Sequence, residues 1–128
     1  MNSVFMSKDG SSDFDAYQAF TKTTAIYPGN GEGTAEARVY CLLGLCGESG
    51  ELAEKIKKIV RGGGFAALAD LDDDKRAEIK KELGDILWYT ARCADELGLK
   101  LSDVATTNIK KLSSRKERNV LHGSGDNR

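Results

Sequence analysis

Two acidic pairs stand out in the chain. Glu48-x-x-Glu51 lies in LLGLCGESGELAEKIKK, and Glu82-x-x-Asp85 lies in KELGDILWYTA. Residues three apart share one face of a helix, so each pair can aim two carboxylates at one point. If the two helices pack with those faces together, four carboxylates converge. Four negative charges cannot share a dry site without compensation. Mg²⁺ or Mn²⁺ resolves the conflict, because hard divalent cations take oxygen ligands and retain waters for substrate phosphates. The competing reading is a set of solvated surface acids, which a lone Glu-x-x-Glu would ordinarily be. The setting weighs against it. Leu45, Leu52, Ile56 and Ile59 form a helical apolar stripe with Glu48 at its edge and Glu51 just beyond. A di-iron bundle needs Glu-x-x-His on two helices. The one histidine, His122, lies in the C-terminal tail, so oxygen-only ligation points to Mg²⁺ or Mn²⁺ rather than iron.

Basic residues follow the acids. Lys55 and Lys58 continue the stripe of Glu48 and Glu51 by one and two turns, and Arg61 comes next. Pairing within the helix, for instance Glu51 with Lys55, is the plain alternative. Asn108, Lys111, Arg115 and Arg118 form a second face on a later helix. Taken alone that face is a solvated one. Beside a divalent cation, Lys, Arg and Asn are the equipment for gripping a polyphosphate. No Gly-x-x-x-x-Gly-Lys-Ser/Thr loop is present, which excludes a P-loop.

These residues need helices to position them. The chain has 128 residues, of which 40% are apolar and 30% charged, with one proline. That suits one domain rich in helix-forming residues. The net charge of −1 gives no global pull toward nucleic acid or an anionic membrane. No apolar run approaches the roughly 20 residues of a membrane span, and no signal peptide is evident. Cys41, Cys46 and Cys93 are odd in number and lack a Cys-x-x-Cys spacing. Reduced thiols in a cytoplasm are expected.

The patterning predicts four helices and no strand. The first runs from Ser12 to Tyr27, with Ser12 and Asp15 resembling a capping box. Thr34 caps the second, which runs to about Arg61 and is stopped by Gly62–Gly64. Residues 65–74 read as a connecting loop with room for one short turn. Asp72–Asp74 suit the start of the third helix, which runs to Leu97 and stops at Gly98. Its aliphatic stripe is Ile79, Leu83, Ile86, Leu87, Thr90 and Ala94, with Glu82 on the flank, and Asp85 and Tyr89 on a second side. Ser102 caps the fourth helix, which runs to about Arg118. Residues 1–11 and 119–128 read as flexible tails. The expected fold is an all-α, four-helix bundle-like domain.

With the elements in place, GLCGESGELAEKIKK, KELGDILWYTA and NIKKLSSRK together resemble the MazG-like nucleotide pyrophosphohydrolases of the all-α nucleoside triphosphate pyrophosphatase superfamily. DAYQAFTKTTAIYP resembles the first helix of short, phage-type members. The likeness covers about residues 13–120. It implies cleavage of an NTP or dNTP between the α- and β-phosphates, giving the monophosphate and pyrophosphate. By position, Glu48, Glu51, Glu82 and Asp85 would hold Mg²⁺ or Mn²⁺ and carry catalysis. Lys111 and Arg115 would hold phosphates, with Asn108 nearby and Lys58 and Arg61 as further candidates. Gln18, Tyr40 and Trp88 are candidates for the nucleobase, with core packing the competing role of Trp88. The resemblance also implies a dimer or dimer of dimers, which would cover the second side of helix three. A purine such as dGTP is the expected base, with a dUTP- or dCTP-restricted enzyme as the alternative. A non-enzymatic helical interaction module is the competing class.

Two departures from the family pattern matter. Gly47 stands where many relatives carry a further Glu, so Glu48, Glu51 or Glu54 would have to orient the water. Thirty residues separate Glu51 from Glu82, with the extra length in GGGFAALADLDDD, read as a loop or lid. The glycines Gly44, Gly47 and Gly50 are expected to admit another backbone close to helix two, with Gly47 the best test position.

Overall fold

The computed structural model describes residues 13–127. The expected tail at 1–11 and the Ser12 cap lie outside them. Four helices follow in order: α1 (Asp13–Thr24), α2 (Ala35–Ala69), α3 (Asp73–Glu96) and α4 (Leu101–Glu117), with no strand among the described residues. The all-α class is as expected. The long α2 packs along α3. Helix α1 lies on α3 and α4, and α4 does not reach α2. None of these helices is long and apolar enough to cross a membrane.

Local chemistry sets most of the helix ends. The Thr34 side chain accepts from the Ala37 N–H at 3.2 Å, and Asp72 accepts from the Lys75 N–H at 2.8 Å. Each satisfies an orphan donor of the first turn. Gly62–Gly64 does not stop α2. Gly64 alone turns left-handed (φ 66°), the chain kinks, and helix resumes through Phe65–Ala69. The expected loop is thus partly helical, because Phe65-Ala-Ala-Leu-Ala favours helix once the kink is made. Ser102 does not cap α4. The cap residue is Lys100, without a side-chain bond. Side chains of α1 take over that function: Gln18 Oε1 accepts from the Leu101 N–H at 2.8 Å, and Asp15 Oδ1 from the Ser102 N–H at 3.3 Å. Gln18 Nε2 also donates to the Leu99 carbonyl at 2.8 Å. Both ends of the Gln18 amide are therefore committed to the α3–α4 turn. Gln18 is a structural brace, which corrects its candidacy as a base contact.

The innermost group of the fold is polar. Arg92 and Glu96 are 0% and 1% exposed. The Tyr27 hydroxyl donates to Glu96 Oε1, and the N–H groups of Gly31 and Gly33 donate to the same carboxylate at 2.6 and 2.8 Å. Both glycines have left-handed φ, 80° and 64°, which lets successive amides point inward. A Cβ on Gly33 would sit 3.2 Å from the Glu96 carbonyl. Arg92 donates to the Tyr27 hydroxyl at 3.2 Å and lies 3.6 Å from Glu96. A small apolar cluster of Ala25, Tyr27, Ala37 and Cys41 surrounds this group, with Trp88 and Cys93 packed against it.

Burial alone would raise the Glu96 pKa, but the bonds from Tyr27, Gly31 and Gly33 and the charge of Arg92 overcome it and hold the carboxyl below its usual range. Burial, then bonding with Cys41 and Glu96, pushes the Tyr27 phenol well above its ordinary value. The native Glu96 carboxyl titrates below its unfolded counterpart. Its stabilisation is thus complete above about pH 4.3 and lost as pH falls through the native value. Glu96→Gln is expected to cost about 3–5 kcal/mol, the cost of breaking a buried charged pair, and to flatten the acid limb. Denaturant unfolding of both proteins across the acidic range checks this. An unchanged midpoint would show that Glu96 does not tie the loop to α3.

Candidate functional site

The acidic pairs do converge. Carboxylate oxygens of Glu48, Glu51 and Glu82 all lie within 4.8 Å of one another. Helix periodicity puts Glu48 and Glu51 on one side of α2, and the packing of α2 along α3 brings that side to Glu82. Glu82 is buried, Glu48 half-buried and Glu51 exposed. Burial, followed by the charges of Glu51, Asp85 and Glu82, raises the Glu48 pKa above the usual carboxylate value. Asp85 stands outside the trio and is exposed. Its charge still reaches Glu48 and Tyr17, whose phenol is raised by burial first and by Asp85 second.

One cation meets the cluster directly. Lys55 Nζ lies 3.4 Å from Glu82 Oε1 and 4.0 Å from Glu78 Oε2. It thus bridges to α3, where the plain alternative was a pair with Glu51 along α2. The other oxygen, Glu82 Oε2, is buried without a hydrogen-bond partner. Lys58 pairs with Glu54 within α2 at 3.7 Å. Glu54 also binds Lys57, and that bond lowers the Glu54 pKa. Its carboxylate is committed to lysines, so Glu54 is not the spare base suggested for the missing side chain of Gly47. Arg61 is exposed.

The cations of α4 stand apart from the cluster. Asn108 and Lys111 line a separate cavity of about 430 Å³ with Phe14, Leu87 and Thr90. Within one chain, α4 packs on α1 and α3 rather than α2. Arg115 is 4% exposed. Asn119, at a left-handed φ of 56°, turns the chain back. Arg115 Nη2 then donates to the carbonyl of Asp126 at 2.8 Å and that of Gly125 at 3.3 Å. The Asp126 carboxylate lies 3.5 Å from Arg115 and 3.6 Å from Lys111. The segment expected as a flexible tail at 119–128 is therefore folded against α4 through residue 127. Nothing in the spacing of the α4 residues signals that backbone covers Arg115.

Among the aromatic candidates, Trp88 is committed to packing. Its Nε1 donates to Thr24 Oγ1 at 2.8 Å, and its ring meets Tyr27 and Tyr89 edge-on. These contacts favour the competing packing role of Trp88. Tyr40 stacks on Tyr27 with ring centroids 5.0 Å apart and remains 45% exposed.

The expected aliphatic stripe of α3 is not covered throughout. Leu83 and Leu87 are exposed, whereas the Glu82 side faces α2. Val39, Leu42 and Leu43 leave a second apolar surface on α2.

The glycines of α2 divide. A Cβ on Gly44 would lie 2.1 Å from the Tyr89 ring, whereas one on Gly47 or Gly50 would meet nothing within 4 Å. Close approach is therefore required at Gly44, by a side chain rather than a backbone. The shared expectation for all three glycines, with Gly47 as the test, is corrected.

The family model of the MazG nucleotide pyrophosphohydrolase domain matches residues 39–120. The chain is 44% identical over 115 residues to the gene 37 protein of Mycobacterium phage L5, which covers 89% of this chain and 97% of that protein. No solved structure matches.

Opposite effects are expected at two helical glycines. Gly44→Ala drives a methyl into the Tyr89 ring and should cost about 1–3 kcal/mol through overpacking. Gly47→Ala enters open space and should stabilise by about 0.4–1 kcal/mol, from helix propensity and reduced unfolded-state entropy. Thermal melts of both variants decide. A Gly44→Ala protein that melts higher than wild type would show that Tyr89 does not occupy that slot.

Proposed function

The chain belongs to the MazG nucleotide pyrophosphohydrolase family, and from that premise we propose a divalent-metal-dependent enzyme that converts (d)NTP to (d)NMP and pyrophosphate. The observation that carries this reading is the meeting of Glu48, Glu51 and Glu82 across α2 and α3. The donor set fits Mg²⁺ or Mn²⁺. All ligand atoms are carboxylate oxygens, burial and then their mutual repulsion raise the Glu48 pKa, and Glu82 Oε2 is buried with no bond of its own. Glu48, Glu51 and Glu82 would hold the ion, and Asp85 would complete the acidic surface around it. Bound there, the ion lowers the pKa of water and polarises phosphoryl oxygen.

The residues of the chain divide the remaining work. The carboxylates of Glu48 and Glu51 orient the attacking water, since Gly47 offers no side chain and Glu54 is held by lysines. Water oxygen bonds to the α-phosphorus, the bond from that phosphorus to the bridging oxygen breaks, and pyrophosphate departs with the electron pair. The nearest cation in the same chain is Lys55, with Lys58 one turn further along α2. Asn108 and Lys111, lying beyond α3 from the cluster, would serve phosphates presented on the α4 side, while Arg115 is held by residues 125 and 126. Tyr40 is the aromatic surface left for a base.

We also propose that the protein works as a dimer or tetramer formed from a single domain. Val39, Leu42 and Leu43 on α2 and Leu83 and Leu87 on α3 form two exposed apolar surfaces, more than a chain of this size ordinarily leaves in water. Light scattering at micromolar concentration should give at least twice the 13.9 kDa chain mass. An active monomer would refute the assembly.

Glu51→Gln and Asp85→Asn should each reduce Mg²⁺-dependent turnover by about tenfold or more while the helical circular-dichroism signal persists. A panel of the four dNTPs plus dUTP, with products separated by chromatography, should show a monophosphate and identify the preferred base. A diphosphate with inorganic phosphate would mean a different phosphatase. Wild-type rates in both variants would remove the carboxylates from the mechanism. Metal-indifferent behaviour with no turnover would leave a helical interaction module.

A further inference from the structure

The chain ends by covering its own cations. Lys111 and Arg115 lie one turn apart on α4 and share a face. Asn119, left-handed at φ 56°, turns the chain, and the Val120 N–H donates to the Arg115 carbonyl at 2.8 Å. The segment beyond returns to that face. Arg115 Nη2 donates to the Asp126 carbonyl at 2.8 Å and to the Gly125 carbonyl at 3.3 Å. The Asp126 carboxylate stands 3.5 Å from Arg115 and 3.6 Å from Lys111. One acid thus takes the position between two cations that a bound anion would take. Lys111 also lines the cavity of about 430 Å³ between α1, α3 and α4, so Asp126 stands at the edge of that cavity.

This cover is shallow. Arg115 is buried, yet residues 121–127 are themselves exposed. The Asp126 side chain faces solvent, and ion pairs in that setting are weak. Little apolar surface holds the segment, since Val120 is half-buried and Leu121 is exposed. Arg115 is also incompletely served, because its Nε is buried with no hydrogen-bond partner. A guanidinium in that state gains from a partner with higher charge and several acceptor oxygens, as a phosphate has. Two carbonyls and a single carboxylate are the weaker set.

We propose that residues 119–127 form an autoinhibitory strap: Asp126 and the carbonyls of Gly125 and Asp126 occupy Lys111 and Arg115, and a polyphosphate reaching the α4 face must displace them. The proposal rests on the reading that α4 serves phosphates. Displacement frees Arg115 as well as Lys111, so the strap lowers the affinity of the face without abolishing it. It gives the buried Arg115 a second state, bonded to ligand in place of backbone.

Calorimetric titration of the full-length chain with inorganic pyrophosphate tests it, in metal-free buffer, where the bare carboxylates of α2 and α3 repel that anion. Asp126→Asn removes the competing carboxylate and keeps the backbone. Asn119→Val puts a β-branched residue at a left-handed position and loosens the strap with no change of charge. Each variant should bind pyrophosphate about threefold or more tightly than wild type, the scale of losing an exposed ion pair. Asp103→Asn, at an exposed acid in the first turn of α4, controls for general charge and should stay within about twofold of wild type. An unchanged or weaker affinity in Asp126→Asn would overturn the proposal, as would a gain that Asp103→Asn matches. A segment that only braces α4 would give lower melting temperatures and no gain in affinity. Asp126 is exposed, so its variant decides the matter even where Asn119→Val does not fold. Lys111→Gln separates the two readings: undiminished pyrophosphate affinity there removes the α4 phosphate reading and the strap with it, whereas lost affinity with no gain in Asp126→Asn removes the strap alone.

Discussion

The fold depends on one buried carboxylate. Glu96 sits in the last turn of α3, where the helix dipole disfavours negative charge, and it is shielded from water. Left alone there it would cost several kcal/mol. It is stabilised by Tyr27, Gly31, Gly33 and Arg92 together. Those partners come from the loop after α1 and from α3 itself, and the Glu96 carbonyl also accepts from Arg38 on α2 at 3.1 Å. One residue therefore ties two helices and a loop at the end of the molecule remote from the acidic cluster. The α2–α3 alignment that joins Glu48 and Glu51 to Glu82 is anchored at that end.

The two acidic centres are handled in opposite ways. At Glu96 the protein supplies every donor, the charge is satisfied, and the pKa falls. At Glu48 burial is not offset by donors, other carboxylates add repulsion, and the pKa rises. The two acids differ in the sign of the charges and dipoles around them. Lys55 offsets only part of the second cluster, leaving one oxygen of Glu82 buried and unpaired. Such frustration is tolerated in a protein whose other end is firmly tied.

Features governed by neighbours in sequence were legible. Thr34 and Asp72 cap because the acceptor and its amide lie three residues apart, and the acidic pairs converge because helical spacing puts each on one face. Features settled by distant parts of the chain were not. Ser102 looked like a cap until Gln18 and Asp15 arrived from α1 to do its work. Gly62–Gly64 looked like a stop, yet one left-handed residue was enough and the alanines beyond it resumed the helix. Gln18 and Trp88 carry groups suited to ligands, but buried backbone and Thr24 claim them first. Glu96 did leave a trace: an acid at the wrong end of a helix, with glycines at 29, 31 and 33 far upstream, is an arrangement that asks for a partner.

The position of the single tryptophan makes the molecule its own optical reporter. Trp88 is the only indole in the chain, and it touches α1 through Thr24 while standing edge-on to Tyr27 and Tyr89 at centroid distances of 6.4 and 4.9 Å. Light absorbed by those phenols is passed to one acceptor, and separation of the Tyr27 loop from α3 interrupts the share that comes from Tyr27. Intrinsic emission therefore reads the closure of the Glu96 end of the fold, with no label attached.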